Sequence, residues 1–320
     1  MIILSSIMMA ISQHPLGFGF LACIGILPIL PKLQKLKSYR EALKIGLLWG
    51  IIYNLVTVYW IASNIGTSST IAFITMLLSV IILTSTPVMI FSLWCMMNRR
   101  GVSIYILAFI WPVVELIRSW GLLGFPWVSL SNSQIEYSTL IQNIEYIGMY
   151  GLTFWIVLLN ILFYRLIINR TKKEIALLSL AVLIPLLTGK LIKDSYENND
   201  YSDAITVLSV QPDIHLSEKR SSVVTDKIIS QSKEDLSKNI DLIVWPETSF
   251  SSRNTDDKIK LFLKDQSAKL LAGLLYFKNK DNYYNSAGYF DDTGMIGIYN
   301  KIHLVPGAEY VPFSSYLNSF

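Results

Sequence analysis

Charge is what this sequence has least of. Asp, Glu, Lys and Arg together make up 16% of its 320 residues, against about 25% in soluble proteins. None of the four occurs in 1–31 or in 45–98. With 52% hydrophobic residues and a mean hydropathy of +0.45, a disordered chain is excluded and a wholly soluble one is disfavoured. Cysteine is scarce too. Cys23 and Cys95 are the only two; they cannot build a disulfide framework and have no metal-ligand spacing. No basic run interleaved with aromatics is present, and a net charge of +4 is too small to argue for nucleic acid. Internal repeats and low-complexity tracts are missing. A secretory signal has no support either: no basic segment precedes the apolar 2–13 and no small-residue cleavage site follows it, so it reads as an uncleaved span.

The charge that is present is divided unequally. Residues 1–189 carry 12 Lys/Arg and 5 Asp/Glu, a net of +7; residues 190–320 carry 15 and 18, a net of −3, and the two sum to +4. An apolar stretch of about 20 residues crosses a bilayer core. Breaks at charges, Pro and Gly give seven expected spans at about 2–13, 16–31, 44–63, 70–96, 101–119, 150–169 and 174–192. Basic residues gather in alternate loops, at Lys32–Lys44, Arg99–Arg100 and Arg165–Lys173. The positive-inside rule therefore puts the N-terminus in the cytoplasm and the second half outside. That half reads as an α/β domain. Strands are expected at 204–210, 240–245, 270–277, 283–290 and 295–300, with amphipathic helices at 217–239 and 256–267. The pattern suggests a mixed sheet covered by helices on one face.

A few residues could carry chemistry. Glu247 follows the IDLIVW strand, at the carboxyl end where catalytic groups gather in α/β sheets. Pro246 ends that strand, and Trp245 supplies apolar surroundings suited to a general base; the bland alternative is a capping carboxylate. Lys301 could stabilise an oxyanion or be a solvated lysine. Glu309 lies in the same segment. His303, between Ile302 and Leu304, reads as a packed structural residue. Gly124-Phe-Pro-Trp127 opens an outer loop, as an interfacial belt or as a lipid-facing wall. Glu115 and Arg118, three apart on one span, are expected to pair.

Taken in order, WPET at 245–248, YNSAGYFDDTG at 284–294, YNKIHLVPGAEYVPF at 299–313, VQPDI at 210–214 and GFPW at 124–127 resemble the apolipoprotein N-acyltransferase family. The resemblance implies a multi-span α-helical membrane domain over 1–192, then an α/β nitrilase-like domain (an α-β-β-α sandwich) over 193–320, incomplete at its C-terminus. It implies a bacterial inner-membrane location with that domain on the periplasmic side. Matched motif by motif, Glu247 is the general base, Lys301 the oxyanion-stabilising lysine and Glu309 an accessory acid; Phe125, Trp127 and Trp245 are candidate substrate contacts. A phospholipid is the implied acyl donor and the N-terminal amine of a diacylated apolipoprotein the acceptor, with no metal or other cofactor.

The sequence departs from the family in three places. The family's nucleophilic cysteine follows the lysine segment, whereas this sequence has only Cys23 and Cys95, both in apolar spans where a thiolate is suppressed. The expectation is therefore that the 320 residues alone do not acylate. Gly307-Ala308 stand where the family has Phe-Gly, and Arg220 where it has Trp. Three alternatives stand beside the leading reading: half of a split enzyme completed by a separately encoded C-terminal fragment, a non-catalytic membrane lipid-binding remnant, or a nitrilase-type amidase.

Overall fold

The computed structural model describes residues 1–13, 17–121, 124–198, 202–214, 223–234, 236, 239–252, 256–264, 266–279, 282–305 and 309–310. The chain divides into two compact units, Met1–Asn199 and Asp200–Tyr310.

Helices fill the first unit. Among the described residues three are long and apolar enough to cross a membrane: Ser69–Arg99, Ile144–Asn169 and Lys172–Glu197. Their starts are set by local chemistry. The Ser68 hydroxyl accepts from the Ile71 N–H and the Thr171 hydroxyl from the Glu174 N–H, occupying donors the helix itself cannot satisfy. Large apolar side chains such as Phe73, Ile81 and Leu191 point outward from these helices, a surface suited to lipid rather than water. The expected 150–169 span begins beyond Gly148, whose φ of 63° kinks the Ile144–Asn169 helix. The apolar 16–31 stretch differs from expectation. It is a series of short helical turns from Gly19 to Gln34, broken at Pro28 and Pro31, because proline forfeits an amide donor and crowds the preceding turn. Similarly, 101–119 holds a helix of 12 residues, Leu107–Arg118.

Aromatic packing organises this unit. The buried Trp49 ring stacks on Tyr53 at 4.8 Å and meets Phe91 and Trp111 edge-on at 6.1 and 5.8 Å. Its indole N–H donates to the Ser5 hydroxyl at 3.0 Å. On the same helix, Tyr39–Thr57, Gly46 lets the backbone of Val88 approach so closely that an added Cβ would lie 2.6 Å from the Val88 Cα, the close contact that small residues allow between membrane helices.

The second unit is a five-stranded mixed sheet in the order β1 (Val207–Ser209), β2 (Leu242–Ser251), β3 (Lys269–Phe277), β4 (Tyr283–Asp291), β5 (Gly294–Asn300). β1, β2 and β3 are parallel, and β3–β4–β5 are antiparallel. The parallel steps need crossovers, which contain the helices Val223–Glu234 and Asp256–Leu263. Ile228, Ile259, Phe262 and Leu263 from these helices pack on Ile243, Leu270, Ala272 and Leu274 of the sheet. The alternate residues Val207, Leu271, Ile296 and Ile298 are exposed, so among the described residues only one face of the sheet is covered. β1 is shorter than the expected 204–210, and Ala204 and Ile205 remain exposed.

Candidate active site

Glu247 stands where the sheet is deliberately interrupted. Pairing of β2 with β3 runs to Trp245↔Ala272 and resumes at Phe250↔Leu274, so four residues of β2 face Gly273 alone. Pro246 has no amide proton to give the ladder, and Thr248 within the bulge has φ 61°, a conformation that β-branched residues rarely adopt. The bulge presses on its neighbour. A Cβ at Gly273 would lie 2.5 Å from the Glu247 Cα and 2.7 Å from the Pro246 oxygen, so the register accepts only glycine there.

Two other segments bring their side chains to the same place. Lys301 follows β5, and its N–H donates to the Asn285 carbonyl of β4 at 2.8 Å. Its ammonium donates to Glu309 Oε1 at 2.8 Å and to Glu247 Oε1 at 3.3 Å. Glu309 is tied to its own loop: its N–H donates to the Val305 carbonyl at 3.0 Å, and its Oε2 accepts the Val305 N–H at 2.7 Å. Asn285 Nδ2 completes the cluster, donating to Glu247 Oε1 and, at 2.9 Å, to Glu309 Oε1. The side chains of Glu247, Lys301 and Glu309 are 60%, 32% and 22% exposed.

The electrostatics follow from this arrangement. The hydrogen bond to Glu309 raises Lys301 above the ordinary lysine range; partial burial works against it and the Glu247 charge adds to it. Burial alone would raise Glu309, yet the bonds from Lys301, the Val305 amide and Asn285 hold it below the ordinary carboxylate range. One cation is thus fixed between two carboxylates and held most closely by Glu309. The second Glu247 oxygen, Oε2, has no hydrogen bond among the described residues. Such a set can take a proton at Glu247 and stabilise negative charge beside Lys301. A cavity of ≈ 350 Å³ opens here, lined by Glu247, Gly273, Asn285, Tyr299 and Lys301 among others.

The structure brings Glu247, Lys301 and Glu309 together in the second unit. Trp245 is buried; its indole N–H donates to the Ser232 hydroxyl at 2.9 Å and its ring stacks on Phe262 at 5.7 Å. Its ring thus packs into the core of the unit, while Trp245 also contributes to the lining of the cavity at Glu247. His303 is exposed rather than packed. Phe125 and Trp127 belong to the first unit. Trp127 is half exposed and stacks on Trp60 at 5.6 Å, with Phe125 at 5.1 Å. Beneath them, Glu115 and Arg118 form no ion pair with one another. Glu115 instead accepts from the Leu130 N–H at 2.9 Å and the Thr153 hydroxyl at 2.8 Å, and Arg118 donates to the Ser129 hydroxyl at 3.0 Å. Cys23 and Cys95 also lie in the first unit. Gly307, Ala308 and Arg220, where the sequence departs from the family pattern, lie outside the described residues.

Two residues of the cluster carry weak sequence signals. Asn285 is an uncharged amide inside a strand, marked only by its place in YNSAGY, and Gly273 is one glycine in an apolar run.

Comparison with known proteins agrees with this geometry. Residues 5–162 match the family profile of the apolipoprotein N-acyltransferase N-terminal domain, and residues 207–320 match that of carbon-nitrogen hydrolase. An apolipoprotein N-acyltransferase of Geobacter metallireducens is 28% identical, over 99% of this chain and 65% of its own length. Those of Chlorobaculum tepidum and Rickettsia bellii are 23% and 26% identical, each over 92% of this chain and 61% of theirs. The chain thus spans less than two thirds of the length of these relatives. With the membrane-type helices and the carbon-nitrogen hydrolase sheet in sequence, the chain belongs to the apolipoprotein N-acyltransferase family, a family of membrane acyltransferases.

Proposed function

We propose that this protein takes part in moving a fatty acyl group from a membrane phospholipid to the N-terminal cysteine amine of a diacylated lipoprotein. The observation that carries the reading is the Lys301 ammonium fixed between Glu247 and Glu309. Glu247 takes the proton of an attacking thiol and later that of the amine. Lys301 stabilises the oxyanion of each tetrahedral intermediate, and Glu309 keeps it charged and in place. Phe125 and Trp127 contact the donor lipid. The buried packing of Trp245 supports the strand below Glu247, a role different from substrate contact.

Neither Cys23 nor Cys95 suits the attacking thiolate, because both sit in apolar helices where an ionised thiol is suppressed. The 320 residues alone therefore form no acyl-thioester. A second polypeptide segment, joined to the chain or separately encoded, would supply the thiol; the uncovered sheet face bearing Leu271 and Ile298 favours it and would build the second layer of an α-β-β-α sandwich. Residues 1–192 form the multi-pass domain, with seven crossings on the sequence reading. Their basic loops put the N-terminus in the cytoplasm and residues 193–320 on the periplasmic side of the inner membrane.

Proteoliposomes containing radiolabelled phospholipid test the reading. The chain alone should carry no hydroxylamine-labile label, whereas membranes that also supply a cysteine-bearing nitrilase-like segment should label and transfer. Glu247→Gln should then lower transfer by about 10²-fold or more. A labelled thioester on the chain alone would overturn its inactivity, and undiminished transfer by Glu247→Gln would overturn the role of Glu247.

A further inference from the structure

Glu247 borders two cavities of opposite character. One is the cavity shared with Lys301 and Asn285. The other, of ≈ 210 Å³, lies beside Pro246 and Glu247 and is lined by Gln211, Asp213, Thr248 and Ser249 over an apolar floor of Ile214 and Ile228. Among the described residues its lining holds no lysine or arginine, and its one carboxylate besides Glu247 belongs to Asp213. Asp213 is exposed and has no ion pair among the described residues. Two of the lining residues hold left-handed backbone without being glycine, Asp213 at φ 43° and Thr248 at φ 61°. Such conformations persist where surrounding structure enforces them, and they gather at ligand sites.

The charges are therefore sorted across Glu247. On the Lys301 side the ammonium favours an oxygen that gains negative charge, and Glu309 is already committed to that ammonium. The Asp213 side favours a cation. A primary α-amine has an ordinary pKa of about 8, so much of it arrives as ammonium at neutral pH and must give up a proton before it can attack. Lys301 and Asn285 both donate to Glu247 Oε1, which leaves Oε2 as the acceptor.

We infer that the Gln211–Asp213–Thr248–Ser249 cavity receives the primary amine of the acyl acceptor, with the Asp213 carboxylate as its counter-charge. The ammonium R–NH₃⁺ gives one proton to the Glu247 carboxylate, yielding R–NH₂ with a free lone pair and a neutral Glu247 carboxylic acid. This inference rests on the acyl-transfer reading, and it adds to that reading a subsite and a residue that sets specificity for a free amine.

The test measures binding and needs no turnover. The full chain in lipid nanodiscs is titrated with a synthetic diacylated lipopeptide bearing a free N-terminal amine, and with the same lipopeptide N-acetylated. The free amine should bind several-fold more tightly, about the effect of one partly exposed ion pair. Asp213→Asn and Asp213→Ala should abolish that preference while leaving the acetylated affinity unchanged, which also reports that each variant is folded. Equal binding of the two lipopeptides by the unaltered chain, or a preference retained in Asp213→Asn, would overturn the inference alone. Failure to bind either lipopeptide would overturn the acyl-transfer reading together with it.

Discussion

Glu115 and Glu247 are carboxylates of the two units, and they are used in opposite ways. Glu115 is almost wholly buried and both its oxygens accept structural donors, the Leu130 amide and the Thr153 hydroxyl. Glu247 is largely exposed, shares one oxygen with Lys301 and Asn285, and keeps the other open. A carboxylate saturated in the interior fixes a loop to two helices; one left unsaturated beside a cation can exchange a proton. Residue type alone does not separate them, because each is a lone glutamate in an apolar stretch of sequence.

The sharpest way to break this comparison is to remove each carboxylate. Glu115→Ala leaves a buried amide and a buried hydroxyl without partners, and should destabilise the first unit by about 2–4 kcal/mol, read as a lowered melting temperature in detergent or nanodiscs. Glu247→Ala should shift stability by less than about 1 kcal/mol while removing transfer in complemented membranes. Gly273→Ala should have a smaller effect on stability than Glu115→Ala. Its Cβ collides with the Glu247 backbone, so the bulge must move; a loss of about 1–3 kcal/mol should accompany reduced transfer, and transfer that persists with unchanged melting would show that the bulge tolerates the methyl group.

Trp245→Phe removes the indole bond to Ser232 and should lose about 1 kcal/mol, whereas Trp127→Phe, half exposed, should leave stability unchanged within error. Equal effects would undo the assignment of Trp245 to the core. The smallest effect concerns pH. Glu309 is held below its ordinary range, so its ion pair stabilises the fold above the carboxyl's unfolded pKa and that contribution disappears as pH falls through the folded value. Lys301 is raised, so its part is complete below its unfolded pKa and disappears as pH rises through the folded value. Exposure limits the effect to at most about 1 kcal/mol. Glu309→Gln should flatten the acid limb in chemical unfolding followed by fluorescence, and an unchanged limb would show that another carboxyl is responsible.

Much of the second unit was legible in the sequence. β3, β4 and β5 begin within a residue of expectation because alternation and turn residues coincide there. β2 was harder. Alternation sets Trp245 and Glu247 on one face, but the bulge at Pro246 breaks that parity, and no rule of periodicity gives its size. In the first unit, hydropathy measured the apolar length of 16–31 but not its backbone, which Pro28 and Pro31 divide. Glu247 and Lys301 stood out by local position, and the motif resemblance assigned their roles. Their contact depends on strand order, which brings β2, β4 and the end of β5 to one place. Asn285 was missed because an amide has no charge to mark it, and Gly273 because a strand glycine usually signals weakness rather than a required approach.

The one-sided sheet has a consequence for how the protein behaves in quantity. Among the described residues β5 ends the strand order and is exposed along most of its length, with Met295, Ile296, Ile298 and Tyr299 open to solvent. An uncapped apolar edge of this kind templates pairing with a second chain. Self-association should therefore set in as concentration rises, before any loss of secondary structure, and lysine placed at Ile296 or Ile298 would suppress it while leaving the carboxylate cluster untouched.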